Sequence, residues 1–314
     1  MNIKNLIKSL ETAYNKSSLW CKVLIFITLL LLIIISMKGI KSQKMVEGFE
    51  QKDQFLIKTG PEIYDEFYTN IYDYLVFNNL KNDYEVGEIV NISNPSSKSR
   101  ILDVGCGTGH HVSSIGAKGL DILGIDISPS MIKKAKENYP DYKFDVADAL
   151  DGNVFEPDSF THILCMYFTI YYFKDKSVFF NNCFKWLMPG GYLIVHLVDR
   201  QHFDPILPPG NPLMYVSPQR YAKKRITSTK VKFTDFAYSA DFNLDTTNDT
   251  ANFIEKFKND SDGKVRKNEL TLYMPDVEQI VDEAQACGFT LESKVDLLQC
   301  QYEYQYLYVF VKPN

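Results

Sequence analysis

At 314 residues the chain has room for one large domain or two small ones. Hydrophobic residues make up 45% and charged residues 23%, the balance of a globular protein with material for a core. A net charge of −5 argues against a nucleic-acid binder, which carries a basic surplus. Cys21, Cys106, Cys165, Cys183, Cys287 and Cys300 form no C-x-x-C pair and no metal-ligand spacing, so they read as reduced thiols and no metal site is expected.

In chain order, residues 1–18 are a polar lead. Val23 to Met37 is an uncharged apolar run between Lys22 and Lys38. Taken from 19 to 40, the segment reaches the roughly 20 residues that a membrane-spanning helix needs. The two lysines could snorkel and Trp20 could sit at the interface. A cleaved signal peptide is the rival reading; the long charged lead and the lack of a small-x-small cleavage site speak against it. A buried core helix is the other alternative. Lysines lie on both sides of the segment, so charge does not fix its orientation. Residues 41–58 read as a charged tether. From 59 to 314 the chain reads as one domain, opening with a helical cap over 59–99. Gly60-Pro61 starts a helix, and Tyr64, Phe67, Tyr68, Ile71 and Tyr72 then share one helical face. That stripe either faces the core or closes over a ligand, with Tyr64 and Tyr68 as the candidates.

Ile101-Leu102-Asp103-Val104 reads as a buried strand, and Gly105-Cys106-Gly107-Thr108-Gly109 follows as a glycine loop leading to a helix over 111–117. Glycines let a backbone turn tightly and approach a ligand closely. Leu120 to Ile125 is the next strand, with Asp126 at its tip, where a carboxylate can take two ribose hydroxyls. Ser128 caps a helix over 131–138. Phe144 to Asp148, Ile163 to Tyr167 and Tyr192 to Val198 are further strands, with a helix over 177–187. Alternation of strands and helices implies a parallel, doubly wound α/β sheet.

The G-x-G-x-G spacing, preceded by a strand acid and followed by Asp126, resembles motif I of the class I S-adenosylmethionine (AdoMet) methyltransferases rather than a dinucleotide loop. The resemblance extends through Asp148-Ala149, the Pro157-Asp158-Ser159-Phe160 turn before Ile163 and the Leu187-to-Val195 stretch, covering about residues 100–198 in order. It departs at Thr161, where the family often has Asp, and at Tyr171-Tyr172, which replace a common His pair. The resemblance implies a Rossmann-like sheet of seven mostly parallel strands with an antiparallel last strand, and S-adenosyl-L-methionine as cofactor. It implies that Asp103, Gly105, Cys106, Gly107, Thr108 and Gly109 hold the methionine part. Asp126 would take the ribose, Ile127 and Met131 would pack on the adenine side, and Asp148 with Ala149 would meet the adenine. Cys165 and Met166 would line the sulfonium side.

Residues 199–273 read as an inserted antiparallel β meander, with alternation at Phe236, Tyr238, Ala240 and Phe242 and a hairpin turn at Asp260 to Gly263. It is either a substrate wall or a sheet extension. A helix over 275–287, a strand over 291–297 and an antiparallel strand over 302–311 close the chain. Methyl transfer needs a nucleophile brought close and aligned, so no strong catalytic signature is required. Tyr167 and Tyr171 follow the fourth strand, and His202 follows the fifth, where a base would face the crevice. The expected function is methyl transfer to a small-molecule or lipid-like acceptor by a membrane-tethered enzyme whose domain faces the cytosol, where AdoMet is made. The alternatives are a protein methyltransferase at a membrane and a catalytically silent AdoMet-fold scaffold. The sequence does not indicate an oligomeric state.

Overall fold

In the computed structural model the chain divides into two compact units, residues 1–47 and 48–314. The structure describes residue 14 and residues 17–28, 53–205 and 218–314. In the first unit residues 19–28 are helical, with Leu19, Trp20, Leu24 and Phe26 exposed. The rest of the apolar run, most of the lead and most of the expected tether lie outside the described residues. Among the described residues no helix is long and apolar enough to cross a membrane.

The second unit opens with β1 (Phe55–Thr59), where a tether was expected. Phe-Leu-Ile-Lys-Thr has the β-branched, apolar character of an edge strand, and it pairs parallel to a later strand. Gly60–Ile63 is a single 3₁₀ turn rather than the start of the long helix. Helix α1 (Glu66–Val76) begins only after Asp65, whose carboxylate accepts from the Tyr68 amide. Helix α2 (Asn79–Ser93) is capped by Asn78 and ends at Asn94 in the left-handed region.

Then come β2 (Arg100–Val104), α3 (His110–Gly116), β3 (Asp121–Asp126), α4 (Pro129–Asn138), β4 (Lys143–Val146), β5 (Phe160–Cys165), α5 (Thr169–Tyr172), α6 (Lys176–Trp186) and β6 (Leu187–Val198). The meander comprises β7 (Ser228–Lys232), β8 (Phe236–Asp245), β9 (Thr250–Asn259) and β10 (Val265–Tyr273). Helix α7 (Val277–Ala286), β11 (Thr290–Asp296) and β12 (Gln305–Val311) end the chain.

Seven strands form the main sheet in the order β11-β12-β6-β5-β2-β3-β4. β12 runs antiparallel to both neighbours and the other pairings are parallel, as expected. Both faces are covered. Alternation along β2, β5 and β6 sends Leu102, Val104, Ile163, Cys165, Leu193 and Val195 into one core and Ile101, Leu164 and Ile194 into the other. The first core holds the fully buried Phe179, Phe180 and Trp186, each contributing about 1.5–3 kcal/mol by burial.

The meander is a second sheet of five strands, ordered β1-β10-β9-β8-β7. It is one strand wider at each side than its three evident hairpin strands, because β1 and β7 add to its edges. Phe236, Tyr238, Ala240 and Phe257 from this sheet pack with Ile63, Tyr68, Ile71 and Leu75 from the cap segment. The tyrosine stripe of α1 therefore serves partly as core.

Candidate active site

The strand order reverses beside β2: the chain moves outward through β3 and β4, then returns to β5 on the other flank. A crevice opens at the carboxyl ends of such strands. The glycine loop sits there, locked to β3 by the Gly105 and Cys106 amides, which donate to the Ile125 carbonyl at 2.8 and 3.0 Å. Gly107 has φ +54°, and a Cβ there would meet only a Tyr72 ring carbon, at 3.7 Å. The backbone at Gly107 thus borders open space that a side chain would fill. Gly109 differs: its Cβ would lie 2.8 Å from the Phe144 ring, and it lines neither of the two cavities described below. Its lack of a side chain serves packing against Phe144 and Ala135.

A cavity of 780 Å³ lies between the ends of β2–β4 and strands β8–β10. Its first wall carries Gly105, Gly107, Asp126, Ile127, Met131, Asp148 and Ala149. Asp126 accepts from the Gly107 amide at 3.1 Å and the Ser128 amide at 2.9 Å, one on each oxygen. Each oxygen keeps a further acceptor position. Burial pushes its carboxyl above the usual range, against these two amides. Ser128 also donates to the Tyr64 carbonyl at 2.7 Å, which fixes the cap beside this wall. Tyr64 and Tyr72 form the roof, and Tyr64 bonds the Tyr172 hydroxyl. The far wall is polar: Asn243, Asn252 and Thr271 stand in register across β8, β9 and β10.

A smaller cavity of 80 Å³ shares Tyr72, Gly105, Gly107 and Tyr167 with the first. It is lined by Asp103, Cys106, Thr108, Met166 and a charged group from α2 and α3. Asp103 is 1% exposed, and neither carboxylate oxygen has a hydrogen-bond partner. Burial pushes its carboxyl up to about 6; Asp126 and Glu85 act in the same direction and His111 opposes them. Glu85 is the contrasting acid. Burial opposes its charge too, but Lys81 at 2.6 Å and His111 at 3.1 Å outweigh this and hold it at about 2. Thr108 donates to Asp73 at 2.6 Å and ties α1 across the loop.

The sequence-based site residues divide as follows. Tyr64, Gly105, Gly107, Asp126, Ile127, Met131, Asp148, Ala149 and Tyr167 border the large cavity, and Asp103, Cys106, Thr108 and Met166 the smaller one. Tyr68 lies one layer back, on a third chamber. Cys165 is fully buried in the core and lines none of these three cavities, because its side chain leaves β5 on the α6 face. Tyr171 is likewise 0% exposed, its hydroxyl accepting from the Val198 amide at 2.8 Å. It staples α5 to β6, and its neighbour Tyr172 reaches the cavity instead. His202 is directed outward, 58% exposed, paired with Asp199 at 2.7 Å and packed on Tyr304. The chain turns back after β6, so His202 does not face the crevice. Residues missed by sequence include Tyr72, Lys81, Glu85, Thr169 and Tyr172. The Lys81–Glu85 pair had a signal in its i,i+4 spacing; Thr169 had none.

Residues 102–195 match the family model described as "Methyltransferase domain". The chain contains a class I S-adenosylmethionine-dependent methyltransferase domain. Over 113 residues it is 34% identical to phosphoethanolamine N-methyltransferase 1 of Zea mays, a match covering 34% of this chain and 22% of that protein. Over 117 residues it is 31% identical to dTDP-4-amino-2,3,4,6-tetradeoxy-D-glucose N,N-dimethyltransferase of Saccharopolyspora spinosa, covering 35% and 46%. The chain thus spans less than half the length of these curated relatives. The methyltransferase domain also has the fold of the CcbJ methyltransferase from Streptomyces caelestis, with a TM-score of 0.62 at 13% identity, over 80% of this chain and 98% of that one. The cofactor of the class is S-adenosyl-L-methionine. The site fits it: the unpartnered Asp103 carboxylate suits a cation, and the open acceptor positions of Asp126 suit a diol.

Proposed function

We propose that this chain transfers a methyl group from AdoMet to a small-molecule acceptor held against the five-stranded sheet. The observation that carries this reading is the buried, unpartnered carboxylate of Asp103 behind a glycine loop whose other end is fixed by Asp126. When bound, AdoMet supplies a methyl group already activated by its sulfonium. Asp103 holds the cationic methionine end, directly or through water. Asp126 holds the ribose, and Ile127, Met131 and Ala149 border the adenine. Tyr64, Tyr72 and Tyr172 cover the cavity and exclude water. Tyr167 borders both the large and the small cavity, and is the residue we assign to aligning the acceptor. The polar row Asn243, Asn252 and Thr271 suits a hydrophilic acceptor. The names of the two relatives, an amino alcohol phosphate and a nucleotide amino sugar N-methyltransferase, support an acceptor of small-molecule class.

We further propose that residues 19–40 anchor the chain in a membrane, with the domain on the cytosolic side. The apolar run between lysines and the exposed apolar side chains of residues 19–28 support this. Mass spectrometry of small molecules that co-purify with the chain tests the first proposal. AdoMet or S-adenosylhomocysteine is expected, and a nicotinamide dinucleotide would overturn it. Carbonate extraction tests the second: the full chain should stay with membranes, and a chain lacking residues 1–44 should be released and still bind cofactor.

A further inference from the structure

Beside the cofactor cavity lies a third chamber, of 60 Å³, walled by Tyr64, Tyr68, Tyr167, Tyr172 and Phe253. The one acid on its wall is Glu255 of β9, which is 3% exposed. Glu255 Oε1 accepts from the Tyr238 hydroxyl at 2.9 Å and Oε2 from Asn268 Nδ2 at 3.2 Å, and Tyr68 adds a further hydrogen bond. All three donors are neutral. Arg266 reaches Glu255 only through Asn268, to whose Oδ1 its Nε donates at 2.9 Å, because the rest of its guanidinium makes two 2.8 Å bonds to Asp65 and one of 2.9 Å to the Ile63 carbonyl. Among the described residues Glu255 makes no ion pair. Burying a carboxylate without a counter-charge is costly, and the surrounding ring faces are themselves electron-rich and attract cations. The chamber shares Tyr64, Tyr167 and Tyr172 with the cofactor cavity, and Tyr167 borders all three spaces. It therefore lies against the methionine-side and ribose-side spaces, with these tyrosine side chains between them.

We propose that this chamber receives the amino group of the acceptor, with Glu255 as its counter-ion, so that the methyl group goes to an amine nitrogen. The inference rests on the methyltransferase reading above and narrows it. An acidic acceptor group would be repelled by Glu255, and an alcohol would leave its charge uncompensated. An entering ammonium passes one N–H proton to the Glu255 carboxylate. The freed lone pair forms the N–C bond as the S–C bond breaks, its electron pair remaining on sulfur. The positive charge moves from sulfur to nitrogen, facing the tyrosine rings, and the proton on Glu255 returns to solvent as the N-methylammonium product leaves.

The test uses the full chain saturated with S-adenosylhomocysteine and three probes with one ring: cyclohexylamine, cyclohexanol and cyclohexanecarboxylate. Binding is followed by ligand-observed NMR titration. The amine should bind at least about tenfold more tightly than the alcohol, and the carboxylate more weakly still. Glu255→Gln should erase the amine preference while keeping S-adenosylhomocysteine affinity within about twofold. Tyr172→Leu, which removes a ring face but no charge, should reduce the preference by about threefold, and it stands in should the Gln variant not fold. Equal binding of amine and alcohol by the unmodified chain, no binding of the amine, or a preference that survives Glu255→Gln, would overturn the proposal. Failure of the unmodified chain to bind S-adenosylhomocysteine would overturn the methyltransferase reading itself, and is read in the same samples.

Discussion

The seven-stranded and five-stranded sheets face one cavity but contribute to it by different means. The first acts through its backbone and topology: strand order places Asp103 and Asp126 at the crevice, and Gly105 and Gly107 keep the loop thin. The second acts through side chains: Asn243, Asn252 and Thr271 form a cross-strand row, and Glu255 with the cap tyrosines forms a closed aromatic chamber. A backbone-built site tolerates little change in sequence pattern. A side-chain-built site can be rewritten while the sheet stays intact. This matches the extent of the family model, which spans residues 102–195 and stops before the meander.

The comparison predicts that backbone changes on the first wall have the largest effects. Gly107→Val should weaken S-adenosylhomocysteine binding by about 100-fold or more, because the side chain fills ligand space at a φ that disfavours it. Circular dichroism should show the fold retained, since only Tyr72 approaches the added Cβ. Isothermal titration checks the binding, and near-normal affinity would mean that this loop does not hold the cofactor. Next in size is Asp126→Ala, which should cost about 1–3 kcal/mol of cofactor binding by removing a buried acceptor from two hydroxyls. Unchanged affinity in the same titration would place the ribose elsewhere.

A third effect depends on pH. The Asp103 carboxyl is raised to about 6 by burial, with Asp126 and Glu85 adding to this and His111 opposing. Between its unfolded value and about 6 the folded chain binds a proton that the unfolded chain has lost. The ligand-free fold therefore loses stability as pH rises through this window. Binding has the opposite sign, since an ammonium needs the ionised carboxylate. S-adenosylhomocysteine affinity should rise about fivefold from about pH 5 to about pH 6, and about tenfold in all by about pH 7, where it levels off. Asp103→Asn should flatten the profile and lower its plateau. A rise that persists in Asp103→Asn would assign the titration to another group.

What the sequence revealed follows the same division. The strand-loop-strand pattern from Ile101 to Asp126 could be read directly, because a parallel strand, a thin loop and a tip acid each leave a local signature. The five-stranded sheet was legible only as hairpins. β1 was hidden because its partner, β10, lies some two hundred residues later in the chain, and no local pattern announces a parallel edge pairing. Tyr171 was the candidate named from the sequence, and its neighbour Tyr172 was not. Successive residues of the short α5 point in different directions, which puts Tyr171 in the core and Tyr172 at the cavity. Glu255 looked like one more polar residue in an alternating strand; its register opposite Ala240 and Asn268 is what buries it.

The smallest expected effect concerns the residue that sequence position alone favoured as a base. His202 follows β6, and in an open α/β sheet a loop at that end often reaches the crevice. Here the His202 amide donates back to the Asp199 carbonyl at 3.1 Å, closing a turn that carries the ring to the surface. Its Nδ1 pairs with Asp199, the ring packs on Tyr304, and it borders none of the three cavities. An exposed side chain with partners confined to its own turn and one neighbour contributes little. His202→Ala should therefore change stability by no more than about 0.5 kcal/mol, the range of ordinary surface substitutions. Once an acceptor is in hand, its turnover and the pH profile of that turnover should be unaltered. Tyr167→Phe in the same assay should lower turnover with cofactor affinity within about 1 kcal/mol, because Tyr167 borders all three spaces. A large loss of turnover in His202→Ala with Tyr167→Phe unaffected would reverse the assignment. It would mean that the segment after β6 folds inward over the bound acceptor and completes the site from the side now facing solvent.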